Sequence, residues 1–245
     1  MSTTKPKNKP ENPLIVVLCN IALPVIVLNQ GAKHFGENGP LIALLVALAF
    51  PIGYGIFDFK RRHKPNFVSI VGLVNVSITG SFALFHLEGG WFWLKEAFFP
   101  LLIGSAIAIY NHFGRPFLFT VFWNENLFQI DNINKALESR KNQNQLTPLF
   151  KKSSDLFSAS FFISGTGNFY LAKRIFLPID PTLNPVDHAQ ALNSQIAQMT
   201  WRGYTMIALP MMVFMGFVLW YLISHLKSLT GLKTEEILAA DPSKK

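Results

Sequence analysis

The sequence predicts an all-α protein: a polytopic membrane bundle of six transmembrane helices, with one interfacial amphipathic helix. Three observations carry the prediction. Half of the 245 residues belong to the apolar set AVILMFWYC, and 23 are Phe. Only 15% are Asp, Glu, Lys or Arg, where a soluble domain carries about 25%. The apolar residues also gather in six long runs, and about 20 such residues cross roughly 30 Å of hydrocarbon.

In chain order, residues 1–12 form a polar, basic tail that faces the cytoplasm. The first span is Pro13–Gln30, containing LIVVLCNIALPVIVL. No small-residue A-x-A site follows it, so it reads as a retained span rather than a cleaved signal. The second is Gly39–Phe57. Its AFPIGYGIFDF stretch, with Pro51, Gly53 and Gly55, predicts a kinked or broken helix, and Pro24, Pro100 and Pro210 place kinks in three other spans. Asp58 adjoins Lys60, Arg61 and Arg62 as a solvated partner. The third span is Phe67–Leu87 and the fourth Trp91–Tyr110, so spans one to four occupy 13–110.

A cytoplasmic loop follows over 111–152. Within it, 117–138 places Val121, Phe122, Leu127, Ile130, Ile133 and Leu137 at spacings that roughly fit one helical face. The segment reads as an amphipathic helix on the membrane surface or as a partner-binding helix, with Phe122, Leu127, Phe128 and Ile130 as the partner surface. KNQNQLTP reads as a flexible polar link. Spans five and six, Leu156–Phe176 and Gly203–Leu226, lie within 153–226. Ser158, Ser160, Ser164, Gly165, Thr166 and Gly167 give the fifth a close-packing face. The outer loop, 177–202, begins with three prolines and ends with a short helix. Residues 227–245 form a cytoplasmic tail. The first three spans set against the last three show no shared repeat, so an inverted-repeat transporter design has no support.

The Lys and Arg residues orient the chain. Seventeen of the 22 fall on the side that holds both termini, four on the other, and the remaining one is Lys95 inside span four. Both termini are therefore expected in the cytoplasm. The net charge of +8 records topology rather than a nucleic-acid footprint, and no nucleic-acid partner is expected. Cys19 is the only cysteine, which leaves no internal disulfide.

Polar groups at membrane depth are costly, so they mark the first place to look for function. Lys95 and Glu96 stand side by side in WFWLKEAFFP. Adjacent helical residues diverge by about 100°, so the two are not expected to pair well with each other. Lys95 snorkels to the interface beside Trp91 and Trp93, pairs in the interior to lock spans together, or forms part of a solute or proton site. Lys173 or Arg174 is a further partner for Glu96. Asn20, Asn75 and Asn168 are amides at membrane depth, and such groups usually bond across helices. The candidate polar site is Lys95, Glu96, Asn75 and Asn168. Nothing in the pattern calls for a catalytic residue, a metal or a cofactor: the six histidines are scattered, and no phosphate loop, dinucleotide fingerprint or nucleophile elbow occurs.

The block FPIGYGIFDFKRRHKPNFVSIVGLVNVSITGSFALFHLEGGWFWLKEAFFPLLIG resembles the middle of a family of small bacterial inner-membrane proteins related to intracellular septation protein A. The matching features are the basic loop Lys60–Lys64, Thr79–Gly80, the short turn His86–Gly90 and the aromatic opening Trp91–Lys95. LFSASFFISGTGNFYLAKRIF resembles a later span of the family, and GYTMIALPMMVFMGFVLWYLI resembles the last span loosely. Residues 115–152 and 177–200 are extended relative to the pattern. The resemblance implies a non-enzymatic inner-membrane protein, in one branch linked to envelope synthesis and division. It implies no catalytic residue. Its partners would be the lipid bilayer, other envelope or division membrane proteins, and further copies of itself. A small-solute or ion transporter using polar groups in spans three to five is the alternative.

Overall fold

The computed structural model describes residues 15, 17–30, 38–62, 67–85 and 87–239, without the side chains of 58–59, 61–62, 67–73 and 75–76. The N-terminal tail, the start of the first span and the end of the basic loop after the second, residues 63–66, lie outside the described residues. Among those described, every regular element is a helix, and extended pairing is limited to one isolated bridge, Phe128 to Leu238. We label the helices α1 (Leu18–Gln30), α2 (Gly39–Arg62), α3 (Phe67–Leu84), α4 (Gly90–Phe113), α5 (Phe117–Phe122), α6 (Ile130–Ser139), α7 (Leu146–Ile175), α8 (Pro185–Gly203), α9 (Leu209–Thr230) and α10 (Thr234–Ile237). A π-helical segment, Tyr204–Ala208, joins α8 to α9. Among the described residues, three helices are long and apolar enough to cross a membrane: Gly39–Phe57, Gly90–Phe113 and Pro185–Thr230.

The prolines act in two ways. α2 runs unbroken through Pro51 and α4 through Pro100, so AFPIGYGIFDF does not interrupt its helix. Pro24 and Pro210 instead follow π-helical turns, over Leu18–Ala22 and Tyr204–Ala208. A helical proline removes one N–H and crowds the carbonyl four residues back. Widening the preceding turn relieves that crowding, as in Leu23 N–H donating to the Leu18 carbonyl. Both sites carry the same tetrapeptide, IALP, at 21–24 and 207–210. This short repeat is not apparent when whole spans are compared.

The chain forms two compact units. The first comprises 1–96 and 168–206, the second 97–167 and 207–245.

In the first unit, α8 packs on α1 and α2. Leu192, Ile196 and Met199 join Leu28, Leu44, Ala47, Ala83, Phe92 and Phe176 in one buried cluster. Phe92 stacks on Phe176 with centroids 4.2 Å apart, and the buried Asn193 amide donates to the Pro40 carbonyl at 2.8 Å. The helix occupies most of what the sequence suggested was an outer loop with a short terminal helix. Its start is written in NPVD: Asn184 is the N-cap and accepts from Asp187 N–H, Pro185 opens the first turn, and Asp187 faces the positive helix end. In the preceding turn, Thr182 donates to Asp180 through its N–H and hydroxyl. Those bonds hold the Asp180 carboxyl below the usual carboxylate range. Their small stabilising effect is present at neutral pH and fades as pH falls through the lowered value.

In the second unit, α4 and α7 approach closely at small residues. Ser158 Oγ donates to the Gly104 carbonyl at 2.8 Å. A Cβ on Gly165 would lie 2.8 Å from Leu101 Cγ and 3.3 Å from the Ala97 carbonyl. Of the expected close-packing face, Ser158, Ser160 and Gly165 are buried, whereas Thr166 is exposed. Residues 117–138 are not one helix. α5 ends at Phe122, and α6 begins at Ile130. Asn124 is the reason: its amide donates back to the Val121 carbonyl and its oxygen accepts from Asn126 N–H, a turn that competes with the helix. The bend is fixed by the C-terminal segment, through Gln129 N–H to Ile237 O at 2.8 Å and Ala239 N–H to Leu127 O at 3.0 Å.

The KNQNQLTP link is ordered as well. Lys141 takes a left-handed conformation, Asn142 donates to the Leu229 carbonyl at 2.9 Å, and α7 starts at Leu146. Gly231 ends α9 at φ 70°, beneath the Arg140 guanidinium.

These packing facts predict opposite signs for two glycine substitutions. Gly165→Ala should lose about 1–3 kcal/mol through overpacking. A Cβ on Gly53 meets nothing within 4 Å, so Gly53→Ala should be neutral or gain about 0.5 kcal/mol from helix propensity. Thermal unfolding of the two variants in detergent reads both effects.

Candidate functional site

α4 is apolar along most of its length, yet Lys95 is buried in it, with 6% of its surface exposed. Its Nζ lies 2.6 Å from Glu96 Oε1 and donates to Thr79 Oγ1 of α3, also at 2.6 Å. The expected divergence of neighbouring helical residues applies to their Cβ atoms. Both side chains here are long enough to bring their charged ends together across the helix surface, which corrects the expectation that they would not pair. Thr79 supplies a second contact and links the pair to another helix.

Burial separates the two charges. The Lys95 side chain is 4% exposed and that of Glu96 is 18% exposed. Desolvating an ammonium group costs several kcal/mol, and only a close, well-bonded counter-charge offsets it. Beside the pair, Trp93 donates its indole N–H to the Phe176 carbonyl at 3.2 Å, and Lys173 Nζ sits 5.7 Å from the Trp93 ring centroid. Lys173, a suggested partner for Glu96, thus stands over an aromatic face. Trp91 points outward and is 56% exposed. At the same end of this unit, His188 Nε2 lies 3.0 Å from Glu88 Oε1, joining α8 to the turn before α4.

Asn75 belongs to α3, but its side chain lies outside the described residues. Asn20 and Asn168 are half-buried. Asn168 faces Gly203, its Oδ1 4.0 Å from where a Cβ would stand. The structure therefore brings Lys95, Glu96 and Thr79 together.

The four residues read as a partner surface lie mostly inward. Phe128 is buried, and Phe122 and Ile130 pack on a cluster of Leu118, Ile133, Leu137, Phe150, Leu222, Leu226 and Ile237. Leu127 alone of the four is exposed, at 42%. The apolar face that resembles a docking surface in sequence is covered by the chain's own α7 and α9.

Sequence reasoning missed a buried polar seam in the second unit. Asn111, 4% exposed, donates to Asp155 Oδ1 at 3.0 Å and accepts from Phe117 N–H at 2.9 Å. The fully buried Ser154 accepts from Leu118 N–H at 2.9 Å. These side chains satisfy the free N–H groups that open α5. The signals were Asn111 at the end of an apolar run and the Ser-Ser-Asp triplet at the start of the next.

The architecture and the buried pair define the class: an all-helical protein with several helices suited to a membrane and an ion pair on one of them. No family model, curated protein or solved structure matches the chain.

Removing one partner of the pair should cost more than removing both. Lys95→Met leaves Glu96 uncompensated and is expected to lose about 3 kcal/mol. Lys95→Met/Glu96→Gln should lose clearly less. Thr79→Val, which deletes one interhelical hydrogen bond, should lose about 0.6 kcal/mol. Unfolding of the four proteins in one detergent supplies the comparison.

Proposed function

We propose that the chain is a six-span, non-enzymatic protein of a bacterial inner membrane, with both termini cytoplasmic, that binds other proteins of envelope synthesis or division. The resemblance to the septation protein A relatives belongs to this proposal. Several observations support six spans. α1 and α3 are apolar but shorter, and α7 carries an apolar centre between charged ends. Antiparallel neighbours recur within each unit: Thr79 meets Lys95, Ser158 meets Gly104, and Lys152 lies over the Tyr221 ring.

The observation that carries the binding role is the folded module between α4 and α7. A connection between antiparallel helices takes about 2–8 residues. Here the chain from Gly114 to Gln145, together with the C-terminal segment to Ala239, builds a packed module around Phe128, Ile133, Leu137 and Ile237. Spanning a membrane requires no such module. Its outer surface is polar and carries charges of both signs, with Leu127 and Val121 as exposed apolar points.

A second reading rests on a separate observation. A buried ion pair on an apolar helix suits a solute or ion path, and Lys95, Glu96 and Thr79 would be its polar lining. Flux into liposomes, compared with the Glu96→Gln protein, tests this alternative.

The binding reading is tested by photo-crosslinking in cells. A reactive residue at Leu127 should trap a specific envelope or division protein, and one at buried Phe128 should trap only the chain itself. If Leu127 and Phe128 both give only self-products, the binding role fails.

A further inference from the structure

The three apolar runs of the second unit end at one level. The run in α4 ends at Tyr110, that in α7 begins at Leu156, and that in α9 ends near Ile223. The Asn111–Asp155 hydrogen bond ties the first end to the second. Lys152, with Nζ 5.5 Å from the Tyr221 ring centroid, ties the second to the third. Exposed aromatic side chains gather there: Tyr110 at 43%, Trp220 at 62% and Phe113 at 82%. Aromatic residues of this kind collect where hydrocarbon meets headgroups.

Just beyond that edge stand Arg115, Lys151 and Lys152, all exposed. Among the described residues, none of the three forms an ion pair with a carboxylate. Asp155 is placed one helical turn from both lysines, yet its Oδ1 accepts from Asn111. Arg140 stands elsewhere, its guanidinium lying against Gly231 at the end of α9. The three cations thus stand at headgroup depth without a carboxylate partner among the described residues, Lys152 sharing its charge with the Tyr221 ring.

We propose that Arg115, Lys151 and Lys152 form a binding site for the anionic headgroups of membrane phospholipids. This rests on the membrane-spanning reading and adds a lipid preference to it. The chemistry is a phosphate-bearing headgroup met by one guanidinium and two ammonium groups, with Tyr110, Trp220 and Tyr221 at the glycerol level. Each cation near an anionic surface contributes about fivefold to occupancy. Screening by salt weakens the effect.

The test uses the full-length protein in nanodiscs of equal parts phosphatidylcholine and phosphatidylglycerol. Lipids that stay with the protein after gentle extraction are counted by native mass spectrometry. The unmodified protein should retain phosphatidylglycerol preferentially. Arg115→Gln/Lys151→Gln/Lys152→Gln should reduce that preference by about tenfold or more, and Arg202→Gln should leave it unchanged. If the triple variant does not fold, Lys151→Gln and Lys152→Gln singly should each lower it several-fold. Equal retention of the two lipids by the unmodified protein, or full preference in the folded variants, overturns the proposal. Alkaline washing of the membranes separates the two failures. Release of the protein would overturn the membrane reading itself, whereas retention without lipid preference would overturn only the site.

Discussion

An ammonium group placed among apolar helices must be neutralised where it stands, and Lys95 meets that constraint with its own neighbour. Glu96 supplies the counter-charge and Thr79 a hydroxyl from α3, both 2.6 Å from Nζ. The local design follows from this cost. Trp93 is held to the Phe176 carbonyl and shares its ring with Lys173, which leaves Glu96 to Lys95. Phe92, fully buried and stacked on Phe176, closes the same end of the unit. Hydrophobic replacement of a buried pair is often neutral, but loss of one partner is not. The pair is therefore better understood as specifying which helices meet than as a large net source of stability.

The same cost applies to the backbone. Where proline removes a hydrogen bond, two solutions occur in one chain. α2 and α4 absorb Pro51 and Pro100 within a continuous helix. The two IALP sites widen the turn ahead of the proline into π-helical pairing. Near the second, Thr205 donates its hydroxyl to the Trp201 carbonyl at 3.0 Å, as Ser and Thr do when helices bend in apolar surroundings.

Much of this architecture was legible in the sequence because hydrophobic run length has one dominant physical cause. The runs at 39–57 and 91–110 coincide with long apolar helices. The contacts that define the site were less legible. The pairing of Lys95 with Glu96 depends on side-chain reach, which a helical wheel built on Cβ directions omits. Residues 117–138 have helical spacing on both sides of Asn124, and spacing alone does not register the turn made by that one side chain. The prolines of the 177–202 segment suggested a loop, although NPVD spells a helix start. Amphipathicity shows that a face must be covered. It does not say whether a partner, a lipid or the same chain covers it, and around Phe128 the cover is α7 and α9.

The burial of Lys95 is the claim on which the site depends, and its ammonium protons report it directly. In protein labelled with ¹⁵N-lysine and held in nanodiscs, the Lys95 Nζ signal can be assigned by its loss in Lys95→Arg. The structure predicts that these protons exchange with water much more slowly than those of exposed Lys141 and Lys151, because Nζ is enclosed and bonded to Glu96 and Thr79. Exchange as fast as at the exposed lysines would place Lys95 in water and contradict the account.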